Sequence, residues 1–162
     1  MFFDPAAFPF TAPLCENWRA ILAEYEGVRG HLADWPEREL YGEGWKVYGL
    51  YDFPRGGALA ANIERCPLTA GLVARQVPAH GAAGFSVLAP RTRIRPHRGF
   101  QGEFLRCHLA LKVPGEGCAL KVAGETRRWR AGEALVFDDR VEHEAWNDHD
   151  EERVVLLLDF VP

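Results

Sequence analysis

The sequence predicts a mainly β fold, a barrel or jelly roll with helices packed on one side. Three observations carry this. From Ser86 onward, short apolar or alternating runs recur between Gly, Pro, Asn and Asp: FSVLA, FLRCHLALKV, CALKVAG, TRRWR, ALVFDD, HEAWND and RVVLLLDF. Strands at that spacing suit a sandwich or barrel. FLRCHLALKV keeps a strict period of two, the signature of a strand with two different faces. Helical spacing, by contrast, is confined to the first half of the chain.

In chain order, Pro13 suits the first turn of a helix. After it Leu14, Trp18, Ile21, Leu22 and Tyr25 recur at helical spacing, with Gly27 or Gly30 as the stop. GWKVYGLYDF, residues 44–53, has alternating aromatics and reads as a strand or hairpin arm. Pro67 opens a second helix, with Leu68, Leu72 and Val73 turned inward. Residues 1–80 therefore read as a mixed helix and strand support, and residues 81–162 as the β core of the same single domain. A chain of 162 residues suffices for one sizeable core.

Composition narrows the function classes. Net charge is −4 and the arginines are scattered, thickening only between Arg91 and Arg106. No basic field draws the chain to nucleic acid or anionic lipid, and neither is expected as a partner. No apolar run approaches the ~20 residues of a membrane span. The opening MFFDPAAFPF has no basic lead and does not read as a signal peptide. Cys15, Cys66, Cys107 and Cys118 show no CxxC spacing and read as free thiols of a cytoplasmic protein.

Three polar features stand out in the β half. In FLRCHLALKV, residues 105, 107, 109, 111 and 113 form an apolar face, while Phe104, Arg106, His108, Ala110 and Lys112 share the other. That second face is either solvated or lines a cavity inside a barrel. His97, His108 and His143 lie on or beside strands, and neutral imidazole is the commonest ligand for borderline metals. His31, His80 and His149 lie in polar or turn-rich stretches and read as surface residues. Arg153 opens the apolar run RVVLLLDF. It either pairs with Glu151 or Glu152 at the surface or is buried and holds a carboxylate with its planar fork. Asp138 and Asp139 precede His143 by five and four residues. One reads as a turn residue, the other as an acceptor near a metal ligand.

Taken together, Phe85-Ser86, PHRG at 96–99, LRCHL at 105–109, Trp129 with Gly132, FDD at 137–139, HEAW at 143–146 and Arg153 resemble the aspartyl/asparaginyl β-hydroxylase family. Its members are iron(II)- and 2-oxoglutarate-dependent dioxygenases on a double-stranded β-helix, a cupin-like jelly roll. Asn17-Trp18, Trp45 and Cys66-Pro67 extend the resemblance more loosely into the first half. The resemblance implies Fe(II), 2-oxoglutarate and O2 as cofactor and cosubstrates. It implies His97 and His143 as the iron ligands, with no protein carboxylate because position 99 is Gly. It further implies Arg153, Ser86, Arg106 and His108 as the cosubstrate pocket and Asp139 as a supporting acid. Trp45, Gly84 and Phe104 fall at substrate-facing positions. Members that hydroxylate Asp or Asn in proteins carry basic residues at positions 84 and 104, so the departures here imply a less acidic amino-acid, peptide or small-metabolite substrate. Rival readings are a halogenase using the space opposite Gly99, a zinc enzyme using His97, His108 and His143, and a non-catalytic module that binds metal and a 2-oxo acid. Oligomeric state is open.

Overall fold

The run RVVLLLDF lacks any period because both of its faces are buried. In the computed structural model, which describes residues 1–162, it forms the central strand of the larger of two antiparallel sheets. The elements in order are β1 (Phe2–Phe3), α1 (Thr11–Glu16), α2 (Trp18–Val28), β2 (Ala33–Asp34), β3 (Trp45–Tyr51), α3 (Ala60–Arg65), α4 (Pro67–Gln76), β4 (His80–Leu88), β5 (Thr92–His97), β6 (Leu105–Lys112), β7 (Cys118–Val122), β8 (Glu125–Arg127), β9 (Ala134–Phe137), β10 (His143–Asn147) and β11 (Arg153–Phe160). The seven-stranded sheet runs β1-β9-β6-β11-β4-β3-β2 and the four-stranded sheet β5-β10-β7-β8. The two sheets face each other as the expected double-stranded β-helix, with the helices on the outer face of the larger one.

Two apolar clusters hold these layers. Between helices and large sheet lie Leu14, Ile21, Tyr25, Val73, Phe85, Leu109, Leu156 and Phe160, among others. Between the sheets lie Trp45, Leu88, Ile94, Leu120, Trp129, Phe137, Val155 and Leu157. Period-two alternation divides the long strands of the larger sheet between them. Leu105, Cys107, Leu109 and Leu111 of β6 face the helices, while buried Arg106 and His108 lie on the opposite, sheet-facing side. Burying one such Leu contributes about 1.5–3 kcal/mol. A one-residue slip of β6 would exchange apolar and polar faces, so this register is strongly specified.

Some expectations are corrected. The helix after Pro13 is two helices, because the Asn17 side chain donates to the Pro13 carbonyl at 2.8 Å and competes with the helical backbone there. Gly27 lies inside α2 rather than ending it, and Gly30 lies in the 3₁₀ turn that follows. Leu72 and Val73 turn inward as expected, but Leu68 is exposed, and Thr69 and Ala70 take the inner face of α4 in its place. The Glu24 carboxylate caps that helix, accepting from the Leu68 and Thr69 amides. TRRWR is strand only as far as Arg127; Trp129 is buried beyond it. His31 is exposed, but His80 and His149 are half-buried. The first 80 residues supply β1, β2 and β3 to the large sheet, so the support region is part of the barrel wall. No helix is long and apolar enough to cross a membrane.

Candidate active site

β5 and β10 pair antiparallel and set His97 directly opposite His143. The ring centroids are 4.2 Å apart. His97 Nδ1 lies 2.8 Å from the Arg95 carbonyl, and His143 Nδ1 lies 2.9 Å from the Val141 carbonyl. A carbonyl only accepts, so each Nδ1 carries its proton and each Nε2 is left with a free lone pair. Burial lowers the pKa of His97. Burial, with the His97 ring adding to it, pushes His143 down to about 3. Both rings are neutral at pH 7, the form that binds a metal.

Position 99 takes no side chain. The Gly99 amide donates to the Asp139 carbonyl at 2.7 Å, and a Cβ there would collide with the Asp139 carboxylate. Asp139 therefore fills the space that a carboxylate at position 99 would need. Its Oδ2 stands 3.1 Å from Arg106 Nη1, an ion pair off the hydrogen-bond line, and finds no other partner. Burial pushes the Asp139 carboxyl up to about 6 despite that guanidinium. Arg106 is also gripped by Asp159, Nε to Oδ1 at 2.7 Å and Nη2 to Oδ2 at 2.9 Å. Desolvation works against the Arg106 charge, but the two carboxylates outweigh it and raise its pKa. Arg106 does line the cavity, yet its fork is already occupied.

Beside the histidines is a group of buried nitrogens, all but one of them donors, without hydrogen-bond partners. Arg153 is 1% exposed, which removes the surface-pairing alternative; Glu152 pairs with Arg29 and Lys112 instead. Its guanidinium carbon lies over the Trp129 ring, and the His108 ring stacks 6.1 Å from that indole. Both nitrogens of His108, Nε and Nη1 of Arg153 and Nε1 of Trp129 are buried without a partner. Burial pushes Arg153 down to about 9. Burial, then the Arg153 and Arg106 charges, take His108 well below its ordinary value. Each unsatisfied buried polar group costs about 1–3 kcal/mol, and an acceptor-rich anion is the group that satisfies several at once. The free space among them is about 30 Å³, so a five-carbon dicarboxylate enters only as the lining side chains move apart. Ser86 lies on the same wall, its Oγ accepting from Trp45 Nε1 at 3.0 Å.

A groove of about 650 Å³ adjoins this cavity and shares Ser86 and Leu157 with it. Gly84 lies on its floor. Phe104 lines neither space; its ring covers Gly81. Trp45 belongs to the cavity wall, between the Trp35 ring stacked at 4.7 Å and His97.

Asp159 and Asn147 escaped the sequence reading. Both were accessible to it, since period two from Arg153 reaches Asp159 and period two from His143 reaches Asn147. Asn147 is fully buried and donates to the Leu88 and Glu151 carbonyls, tying β10 to the end of β4 and the approach to Arg153.

A family model described as aspartyl/asparaginyl beta-hydroxylase matches residues 15–162. An ornithine lipid ester-linked acyl 2-hydroxylase of Rhizobium tropici is 36% identical over 170 residues, spanning 98% of this chain and 59% of that protein. The human aspartyl/asparaginyl beta-hydroxylase is 37% identical over 157 residues, spanning 88% of this chain and 20% of its own length. The chain thus corresponds to part of these longer relatives. Among solved structures, a Pseudomonas putida prolyl-4-hydroxylase superposes with a TM-score of 0.59 at 18% identity, covering 91% of this chain and 86% of that one, a likeness of fold.

Proposed function

The chain belongs to the aspartyl/asparaginyl β-hydroxylase family, and from that premise we propose that it is an iron(II)- and 2-oxoglutarate-dependent dioxygenase that hydroxylates an unactivated carbon of an amino-acid, peptide or other small substrate. The observation that carries this reading is the adjacency of two features. A pair of neutral imidazoles with free Nε2 atoms stands beside a buried pocket whose polar atoms are nearly all donors.

The residues fit the groups. His97 and His143 would hold iron(II), and Arg153, with His108, Trp129 and Ser86, would hold the dicarboxylate. When bound, these groups supply the oxidant: substrate C–H, O2 and 2-oxoglutarate become C–OH, succinate and CO2. The remaining work belongs to the chain. Arg153 neutralises a carboxylate in a site closed to water, where a bidentate pair is strong. The Arg95 and Val141 carbonyls fix the imidazole tautomers. Asp159 holds Arg106, and Arg106 holds Asp139 beside Gly99, so Arg106 acts by positioning that acid. The aromatic wall of Trp45, Trp129 and Phe137 excludes water from the reacting carbon. His108 stands against Arg153 and Trp129 and not with the histidine pair, which favours this reading over a three-histidine zinc site. The four unpaired cysteines support a reducing compartment such as the cytoplasm.

The test is succinate formation from iron(II), 2-oxoglutarate and O2 across a panel of amino acids, peptides and lipid precursors, with mass spectrometry of the products. A gain of one oxygen supports hydroxylation, and a gain of chlorine in chloride buffer identifies a halogenase. No succinate with any substrate, and none uncoupled, overturns the reading.

A further inference from the structure

Trp35 and Trp45 differ in one respect from the other tryptophans of the chain. Of the five, Trp18, Trp129 and Trp146 each carry a guanidinium over the ring face, from Arg19, Arg153 and Arg93 respectively. A cation on that face holds the ring's electrons and makes one harder to remove. No arginine or lysine lies over Trp35 or Trp45, so these two indoles are spared that effect.

The pair leads from the metal site to the surface. Trp45 is buried, its ring 6.5 Å from that of His97, and it lines the cavity with both histidines. Trp35 is half-buried and stacks on Trp45 at 4.7 Å, with the ring planes 15° apart. Offset faces in contact give an electron a short path from one ring to the other.

The hydrogen bonds set a direction. The inner indole, Trp45, donates to the Ser86 hydroxyl at 3.0 Å, and a hydroxyl is a poor base. The outer indole, Trp35, donates to the Glu37 carboxylate at 3.0 Å, and Glu37 is exposed. An oxidised indole is far more acidic at nitrogen than the neutral ring. Trp45 has no base to take that proton, whereas Trp35 has a carboxylate whose charge also favours the positive ring. An electron vacancy on Trp45 is therefore drawn out to Trp35. Tyr41 also meets Trp45, edge-on at 5.5 Å, but its hydroxyl donates to the Trp35 backbone carbonyl, a poor proton acceptor. A phenol is readily oxidised only as it loses its proton, so that branch is closed.

We propose that Trp45 and Trp35 form an electron relay which, when O2 is activated with no substrate bound, discharges the oxidant with two electrons from a dissolved ene-diol reductant. One O2, one 2-oxoglutarate and one ene-diol then give succinate, CO2, water and the diketone. The electrons pass singly, from the ene-diol to Trp35 and from Trp35 to Trp45. At each passage Trp35 gives its indole proton to Glu37 and takes it back, and the two ene-diol protons end in the water formed. The relay needs metal at His97 and His143, and it rests on the dioxygenase reading only for the source of the oxidant. The aromatic wall of the cavity is itself oxidisable, and an idle turnover attacks it unless electrons arrive first.

The test uses the full chain without substrate, with ascorbate, in two arms. One contains iron(II), 2-oxoglutarate and O2. The other contains iron(II) and hydrogen peroxide, which needs the metal site but no 2-oxoglutarate and yields only water and the diketone. Peptide mass spectrometry reads oxygen added at Trp45, and electron paramagnetic resonance with ring-deuterated tryptophan reads the deprotonated indole radical. The parent chain should show that radical and little oxidised Trp45. Trp35→Phe keeps a stacked ring but should lose the radical and raise Trp45 oxidation at least fivefold. Trp35→Tyr, an oxidisable ring beside the same carboxylate, should keep Trp45 protected. Glu37→Gln should lose at least half of the protection, and Tyr41→Phe should behave as the parent. Circular dichroism and Co(II) binding should be unchanged in all four variants. Equal Trp45 oxidation in the parent and Trp35→Phe in the peroxide arm, or an effect of Tyr41→Phe as large as that of Trp35→Phe, overturns the relay. The expected pattern with peroxide, but no succinate in the first arm, would sink the dioxygenase reading and leave the relay standing. Succinate in the first arm, with no dependence of Trp45 oxidation on Trp35 in either, would do the reverse.

Discussion

The guanidinium carbon of Arg153 sits 4.6 Å from the ring centroid of Trp129, with two of its nitrogens facing no acceptor. A cation on an indole face gains about 0.5–2 kcal/mol, less than the several kcal/mol lost on taking the charge out of water. The chain therefore holds this arginine at a cost to the ligand-free protein. Arg153→Ala should raise the 2-oxoglutarate Kd at least tenfold, about 1.4 kcal/mol, by calorimetry, with Arg153→Lys recovering only part. Arg153→Met should leave the ligand-free protein more stable, by about 1–3 kcal/mol, while abolishing stabilisation by 2-oxoglutarate. A loss of ligand-free stability in Arg153→Met would show that the guanidinium is satisfied as it stands.

The histidine pair predicts metal binding without a third protein ligand. His97→Ala and His143→Ala should each abolish the visible spectrum of bound Co(II) while circular dichroism stays unchanged. Gly99→Asp alone should destabilise the chain, because its side chain meets Asp139. Gly99→Asp with Asp139→Gly should relieve the collision and tighten Co(II) binding. If the single variant is as stable as the parent and the double variant binds no better, Asp139 does not fill that space.

Asp159 is buried and bidentate to Arg106. Removing one partner of such a pair leaves the other charge buried and costs about 3–5 kcal/mol. Asp159→Ala should lower unfolding stability in urea by that order and loosen Asp139. A change under about 1 kcal/mol would place the pair with solvent-screened surface bridges.

Acid should weaken the metal-free protein in a window set by opposing groups. His143 falls from an ordinary 6.5 to about 3 on folding, so between those values the unfolded chain holds its proton more firmly. Stability is then lost as pH drops through the window, by at most about 1.4 kcal/mol per pH unit for each such histidine. Asp139 works the other way. Its carboxyl rises from 3.8 to about 6, so the folded state takes up the proton first and gains stability as pH drops from 6 to 4. His143→Gln should flatten the loss of stability between pH 6.5 and 4, and Asp139→Asn should steepen it. Parallel pH profiles for all three proteins would contradict the burial of both groups.

Where the sequence was legible, a period exposed it. Alternation in FLRCHLALKV placed Arg106 and His108 on one face, and the structure buries both. The cupin-like architecture followed from strand spacing and the family motifs. The misses have physical causes. Asn17 broke a periodic helix because a short polar side chain can satisfy a local carbonyl, which apolar spacing does not register. Phe104 left the cavity to cover Gly81, a choice made by packing across distant strands. The occupied fork of Arg106 was hidden because its partner Asp159 is 53 residues away and becomes a neighbour only through the pairing of β6 with β11. The pairing of Gly49 with Gly84 was hidden for the same reason, since neither glycine is unusual until the two strands are laid side by side.

The central position of β11 governs how the chain acquires its shape. β4 and β6 do not pair with each other; each pairs with β11, which follows both in the sequence. Until β11 arrives, the large sheet is two separate sets of strands, each with an open hydrogen-bonding edge. Pairings this remote in sequence form slowly, on the millisecond-to-second scale typical of β barrels. The emerging polypeptide therefore passes through a stage at which two unsatisfied edges await the same missing strand, which joins them. A peptide of residues 153–160, added in trans to a chain lacking them, would be the natural cap for both.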